Sequence, residues 1–142
     1  MDGGGRSLGA QTLLSLISVG PMSRGELGGR LGLSPATTTR TVRPLIEAGL
    51  IEERPPVEAS GPGRPTRLLA VVAGSATVAG VKLTADRLYA VLTDPLGEVL
   101  AGESLPLTET DPDSVTALIA SVVAGLAERS GRRPDAIGIS LG

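Results

Sequence analysis

Apolar residues at Leu13, Leu16 and Ile17, with Leu14 beside them, follow helical spacing, and Gly20-Pro21 punctuates the end of the run. The pattern predicts a first helix over residues 8–19. Ser23 and Glu26 then stand three apart ahead of Leu27, the arrangement in which a hydroxyl and a carboxylate satisfy opposite backbone donors at a helix start. A second helix is expected from about 24 to 31, burying Leu27 and Leu31. Gly32-Leu33-Ser34 makes a tight turn, Ser34 can cap, and Pro35 fits the first helical position, where its missing N–H costs nothing. The third helix therefore begins at Pro35. Thr38, Val42, Leu45 and Ile46 form its inward stripe and Gly49 closes it, leaving Ala36, Thr37, Thr39, Arg40 and Arg43 on or near the other face. Pro44 removes one backbone bond, so a bend or local loosening is expected over residues 40–44.

Beyond the third helix the period changes. Residues 50–54 and 66–72 read as two short strands joined by a Pro/Gly/Ser-rich segment, a hairpin with a long tip. Residues 73–77 read as a linker. Strands are expected at 78–83, 88–93 and 99–105, with Asp94-Pro95-Leu96-Gly97 as the turn between the last two. Asp111-Pro112 opens a fourth helix with an apolar stripe at Val115, Leu118, Ile119, Val122 and Leu126, and Arg129, Arg132 and Arg133 suit the dipole at its end. The last segment, 136–141, is an apolar strand, which reads as the opening of a domain rather than all of one. The fold class is therefore α+β: a winged helix-turn-helix over 1–72, a linker over 73–77, and an incomplete α/β segment of β-β-β-α-β order over 78–142.

Composition narrows the chemistry. The 142 residues contain no cysteine and no histidine, which removes disulfides, thiolate and imidazole metal sites, and the usual nucleophiles and general bases. No catalytic residue, metal or cofactor is expected. One tyrosine is the sole aromatic residue, so any core is built from aliphatic side chains. The N-terminus lacks a signal-peptide pattern and no apolar run approaches a membrane span, so no membrane partner and a cytoplasmic location are expected. A formal net charge of -2 hides an asymmetry. Residues 1–67 hold eight arginines against six acidic residues, or +2, and residues 68–142 hold five cations against nine acids, or -4. The basic half is the helical half, which directs attention to a polyanion.

Three short helices with a tight turn before the third, followed directly by a hairpin, describe a winged helix-turn-helix. In that arrangement the third helix enters the major groove of double-stranded DNA while capped helix starts, here Ser23, Ser34 and Pro35, offer N–H groups to phosphates. Small side chains at Ala36, Thr37 and Thr39 permit close approach, and threonine methyls can touch thymine methyls. Arg40 and Arg43 are long enough for a guanine edge or a phosphate. The competing reading is a helical core whose exposed threonines and arginines only solvate a surface.

In the hairpin connection GPGRPTR, Pro62 and Pro65 fix the backbone, Gly63 permits close approach, and Arg64 becomes an extended cation suited to a narrow A·T minor groove. Its GRP core resembles the AT-hook tripeptide. Three common residues also recur by chance and a loop arginine also keeps a loop soluble, so the position after a helix-turn-helix gives the tripeptide its weight. Arg67 stands where the returning strand begins, facing a phosphate or solvent.

The blocks LGLSPATTTRTVRPLIEAGLIEE, GPGRPTRLLAV and VAGVKLTADRLYAVLTDPLGEVL, in that order, resemble the ROK family of repressors, open reading frames and kinases, in its transcriptional-regulator branch. The resemblance runs from about Leu13 through most of the chain. It implies a winged DNA-binding module joined to an actin-like, ribonuclease-H-like sugar-kinase domain, a homodimer, a palindromic operator and repression of sugar-related genes. A sugar effector is implied only where that second domain is complete.

The resemblance also implies where a kinase would hold phosphates, on residues 81–87, VKLTADR. Lys82 falls at the acidic position, Thr84 and Ala85 at two glycine positions, and Asp86 at the threonine position. A lysine cannot replace a carboxylate beside Mg²⁺, and side chains at the glycine positions crowd phosphate away from backbone N–H groups. Lys82 is more simply a solvated lysine. The family's sugar-contacting and zinc-binding residues lie farther along than this sequence reaches, and the chain reads as an N-terminal portion. Two other functions compete with a DNA-binding regulator: a sugar kinase or its remnant, and a protein-interaction module whose strands after Val78 pair with another chain.

Overall fold

The computed structural model describes residues 7–55 and 66–142, and the chain divides after Val72 into two compact units. The first begins with α1 (Leu8–Val19), capped by the Ser7 hydroxyl, which accepts from the Ala10 N–H at 3.2 Å. A two-residue strand β1 (Met22–Ser23) leads into α2 (Arg24–Leu31), and the turn after Gly32 leads into α3 (Pro35–Glu47). Ile51–Arg54 forms β2 and Leu68–Val71 forms β3.

Local chemistry fixes each helix boundary. The expected capping box opens α2: Ser23 N–H donates to Glu26 Oε2 at 2.7 Å, and Glu26 N–H donates to Ser23 Oγ at 3.1 Å. Gly32 ends the helix in the left-handed conformation, with φ of 66°. Ser34 caps α3 by accepting from Thr37 N–H, with Pro35 in the first turn. At its far end Gly49 N–H donates to the Ile46 carbonyl and Leu50 N–H to the Leu45 carbonyl, the paired bonds of a Schellman motif. Pro44 lies in the last turn of α3 and does not interrupt it.

Leu16, Met22, Leu27, Val42, Ile51, Leu69 and Val71 form the buried core of this unit, with Leu13, Leu31, Leu45 and Ile46 half-buried against it. Two details differ from expectation. The inward face of α1 is centred on Thr12 and Leu16, while Leu14 and Ile17 are 46% and 42% exposed. Leucines and isoleucines at 13, 14, 16 and 17 span more than one helix face, and packing against the rest of the unit decides which is covered. Leu31 is only partly covered because it stands in the final turn of α2. The sheet also has three strands rather than two, ordered β1-β3-β2 and antiparallel throughout, with Met22 opposite Leu69 and Ile51 opposite Val71.

The second unit is a four-stranded sheet with one helix. Its strands β4 (Val78–Leu83), β5 (Arg87–Thr93), β6 (Val99–Pro106) and β7 (Ala136–Leu141) stand in the order β6-β5-β4-β7. The β4–β5 and β5–β6 pairs are antiparallel, and β7 runs parallel to β4. A parallel return needs a crossover, supplied by α4 (Pro112–Ser130), which carries the chain from one side of the sheet to the other. Leu88, Ala90 and Leu92 alternate inward on β5 and meet Val122, Val123 and Leu126 of α4. Leu118 and Ile119 pack at the margin of that core, as their stripe predicts. Because α4 lies over β5 and β6, Ile137 and Ile139 on β7 stay 54% and 56% exposed. Residues 73–77 are tied into this unit: Thr77 is buried, its N–H donates to Asp135 Oδ2 at 2.8 Å, and Arg132 donates to the Gly74 carbonyl.

Candidate nucleic-acid interface

The two helices of the helix-turn-helix meet where Gly28 of α2 backs onto Thr38 of α3. Thr38 is buried, and its hydroxyl donates to the Ser34 carbonyl at 3.0 Å, so the inward stripe and the capped start of α3 are held by one side chain. With Thr38 and Val42 buried, Ala36, Thr39, Arg40 and Arg43 are left exposed along the opposite stripe. They rise from methyl to hydroxyl to guanidinium along the helix, leaving its first turn open to close approach.

Several predicted contact residues also have structural duties. The Ser34 and Thr37 hydroxyls share a hydrogen bond of 2.9 Å, and Thr37 is half-buried, so its hydroxyl serves the cap. The hydroxyl and N–H of Ser23 are both engaged by Glu26, and the Ser23 N–H holds the Glu26 carboxyl below its ordinary pKa. Pro35 is exposed in the first turn of α3. Arg40 makes no ion pair among the described residues, whereas Arg43 donates through Nε to Glu47 Oε1 at 2.7 Å, one turn on. Both partners of that pair are largely exposed, so a nearby phosphate can draw Arg43 away at small cost.

At the wing, Gly63, Arg64 and Pro65 lie outside the described residues. Arg67 is exposed and also pairs with β2, its Nη1 3.3 Å from Glu53 Oε2. The other oxygen of Glu53 lies 2.7 Å from Nη2 of Arg24, at the start of α2. Neither Arg24 nor Glu53 stands out in the sequence, because a pairing between a helix start and a strand has no local signature. A second wing pair joins Arg54 to Glu52 at 2.6 Å.

In the second unit, residues 84–86 form the β4–β5 turn. Thr84 Oγ1 accepts from the Arg87 N–H at 3.1 Å and lies 2.9 Å from Asp86 Oδ1, while Leu107 N–H donates to the Asp86 carbonyl. The turn is thus closed by its own side chains. Lys82 is exposed, as a solvated lysine should be.

Among the described residues, no helix is long and apolar enough to cross a membrane. Residues 10–58 match the MarR family model. The chain is 34% identical to the uncharacterised protein y4fQ of Sinorhizobium fredii, over 95% of this chain and 35% of that protein. It is 30% identical to the DNA-binding transcriptional repressor Mlc of Escherichia coli, over 66% of this chain and 23% of the repressor. It is 32% identical to transcriptional regulator Rv0485 of Mycobacterium tuberculosis, over 87% of this chain and 28% of that protein. The crystal structure of a ROK family transcriptional regulator, a homologue of the Escherichia coli Mlc protein, superposes with a TM-score of 0.68 at 30% identity, covering 94% of this chain and 34% of that one. The chain therefore spans about a third or less of the length of these relatives. In fold and in sequence it is similar to part of a ROK-family transcriptional regulator, with a winged helix-turn-helix followed by part of an α/β domain.

Proposed function

We propose that this chain is the sequence-specific DNA-binding part of a transcriptional regulator, which inserts α3 into the major groove of an operator and reads it with the exposed stripe Ala36, Thr39, Arg40 and Arg43. The observation that carries the reading is the sorting of α3: a buried Thr38/Val42 stripe behind, and in front a capped, proline-initiated turn whose exposed side chains are small before they become cationic. A merely solvated helix has no need of that order. Thr37 shapes the cap from which the helix approaches. Ser23, Ser34 and Pro35 hold two helix starts where backbone N–H groups face phosphate. Gly63, Arg64 and Pro65 of the wing enter the adjacent minor groove, with Arg67 at the wing base.

A two-fold operator read by a homodimer, and repression of sugar-related genes, complete the proposal; the similarity to a DNA-binding transcriptional repressor supports repression as the direction of control. The protein works in the cytoplasm, and no membrane enters its action. We assign it no phosphoryl transfer and no cofactor. Lys82 carries the wrong charge to hold a metal beside phosphate, and the self-bonded turn at Thr84 and Asp86 leaves no glycine-lined cradle. A sugar effector belongs to a complete second domain.

Repeated selection from a random duplex pool, followed by sequencing, tests the function. The expected product is one motif with two-fold symmetry and half-sites about one helical turn apart. Pools that stay random after selection would contradict the reading.

A further inference from the structure

The Glu53 carboxylate is shared between two arginines from different elements. Glu53 sits on β2 with its side chain 23% exposed; Oε1 meets Arg24 at the start of α2 and Oε2 meets Arg67 just before β3. One anion between two cations leaves a net positive charge. Arg24, Gly25, Glu53, Thr66 and Arg67 line a shallow niche there. The first N–H groups of α2 adjoin it, and a helix start leaves such donors without helical acceptors. Among the described residues the buried Nε of Arg24 makes no hydrogen bond. Arg67 keeps 73% of its side-chain exposure. With Arg67 so exposed, its pair with Glu53 contributes little to folding, so stability alone gives weak reason for the carboxylate to hold this second arginine.

We propose that Glu53 is a positioning residue that gathers Arg24 and Arg67 into a clamp for one backbone phosphate of duplex DNA, at the junction of the first helix of the helix-turn-helix and the wing. Guanidinium groups match phosphate oxygens in pairs, and prior orientation reduces the freedom each arginine loses on binding. Because the arginines come from α2 and from the wing base, a phosphate held by both fixes the register between the groove-reading helix and the wing. The clamp rests on the DNA-binding reading above. The opposing view makes Glu53 a competitor that neutralises its arginines and holds DNA off. The two views predict opposite signs for the same substitution.

The test is fluorescence anisotropy of the full chain on a labelled duplex taken from the selected motif, at several salt concentrations, with circular dichroism of each variant. Glu53→Gln removes a negative charge yet is expected to weaken binding, by about fivefold or more. Arg67→Ala, at an exposed position unable to disturb folding, is expected to weaken binding and to reduce the slope of log affinity against log salt by about one. In the Arg67→Ala background the Glu53→Gln effect should shrink. Glu53→Gln binding that is tighter or unchanged, or an Arg67→Ala salt slope equal to wild type, would overturn the clamp while leaving DNA recognition intact. A wild-type chain that binds duplexes without preference and is indifferent to Arg40→Ala would remove the reading beneath the clamp, and the clamp with it.

Discussion

A methyl carbon placed on Gly28 would lie 2.8 Å from Oγ1 of Thr38, so α2 and α3 approach each other at a point where only glycine fits. The same carbon would stand 3.2 Å from the Leu33 carbonyl oxygen, part of the backbone turn. Thr38 cannot swing aside cheaply, because it is buried and bonded to Ser34. Gly28→Val is therefore expected to destabilise the protein by about 1–3 kcal/mol, the usual cost of forcing volume into a packed contact. Urea denaturation measures this directly; an unchanged midpoint would mean that the helices are not in tight contact here.

Thr12 offers the opposite experiment. It is fully buried on the inward face of α1, and its hydroxyl has no hydrogen-bond partner among the described residues. Valine has nearly the same shape without the stranded polar group, so Thr12→Val should raise stability by about 1 kcal/mol. The same denaturation curves read the gain, and a loss would show that the hydroxyl is satisfied in solution.

The cap of the recognition helix bears on folding and on function together. Ser34→Ala removes the acceptor for the Thr37 N–H and the hydroxyl partner of Thr37, at an expected cost of about 1 kcal/mol. Ser34→Asp preserves an acceptor and should recover most of the loss. Two variants of equal stability would contradict the cap's role.

Acid should loosen the start of α2. The Ser23 backbone N–H, and then its side chain, hold the Glu26 carboxyl below its ordinary pKa, against a smaller upward effect of burial. A depressed folded-state pKa means stability that is present above the unfolded value and lost as pH falls through the folded one. Asp111 at the start of α4 behaves alike, its pKa lowered by hydrogen bonds from Ser114. Stability measured from neutral pH down through the carboxylate range should therefore decline, and Glu26→Gln should make that decline shallower. Identical pH profiles would show that the capping box makes no difference.

These boundaries were legible because caps are local: Ser23 with Glu26, Ser34 with Pro35, and Asp111 with Pro112 each announce a helix within four residues. The alternation of Leu88, Ala90 and Leu92 was legible for the same reason. Non-local choices were not. Nothing near Met22 and Ser23 says that they will pair with Leu68 and Leu69, and a two-residue strand has no period to detect. Leu14 and Ile17 resemble core as much as Leu16 does, until the rest of the unit selects one face of α1. The exposed stripe of α3 could be read directly, whereas Glu53, which joins Arg24 to Arg67, required the folded hairpin.

The most direct test of the central claim is the affinity of the wild-type chain and of Arg40→Ala for the selected duplex and for a scrambled one, measured by anisotropy across a range of salt. Phosphate contacts predict a steep fall of affinity with added salt, and a base-reading Arg40 predicts a loss of about 1–3 kcal/mol on the selected duplex with little change on the scrambled one. Equal affinity for both duplexes, unaffected by salt or by Arg40→Ala, would contradict the assignment of α3 as the helix that reads DNA.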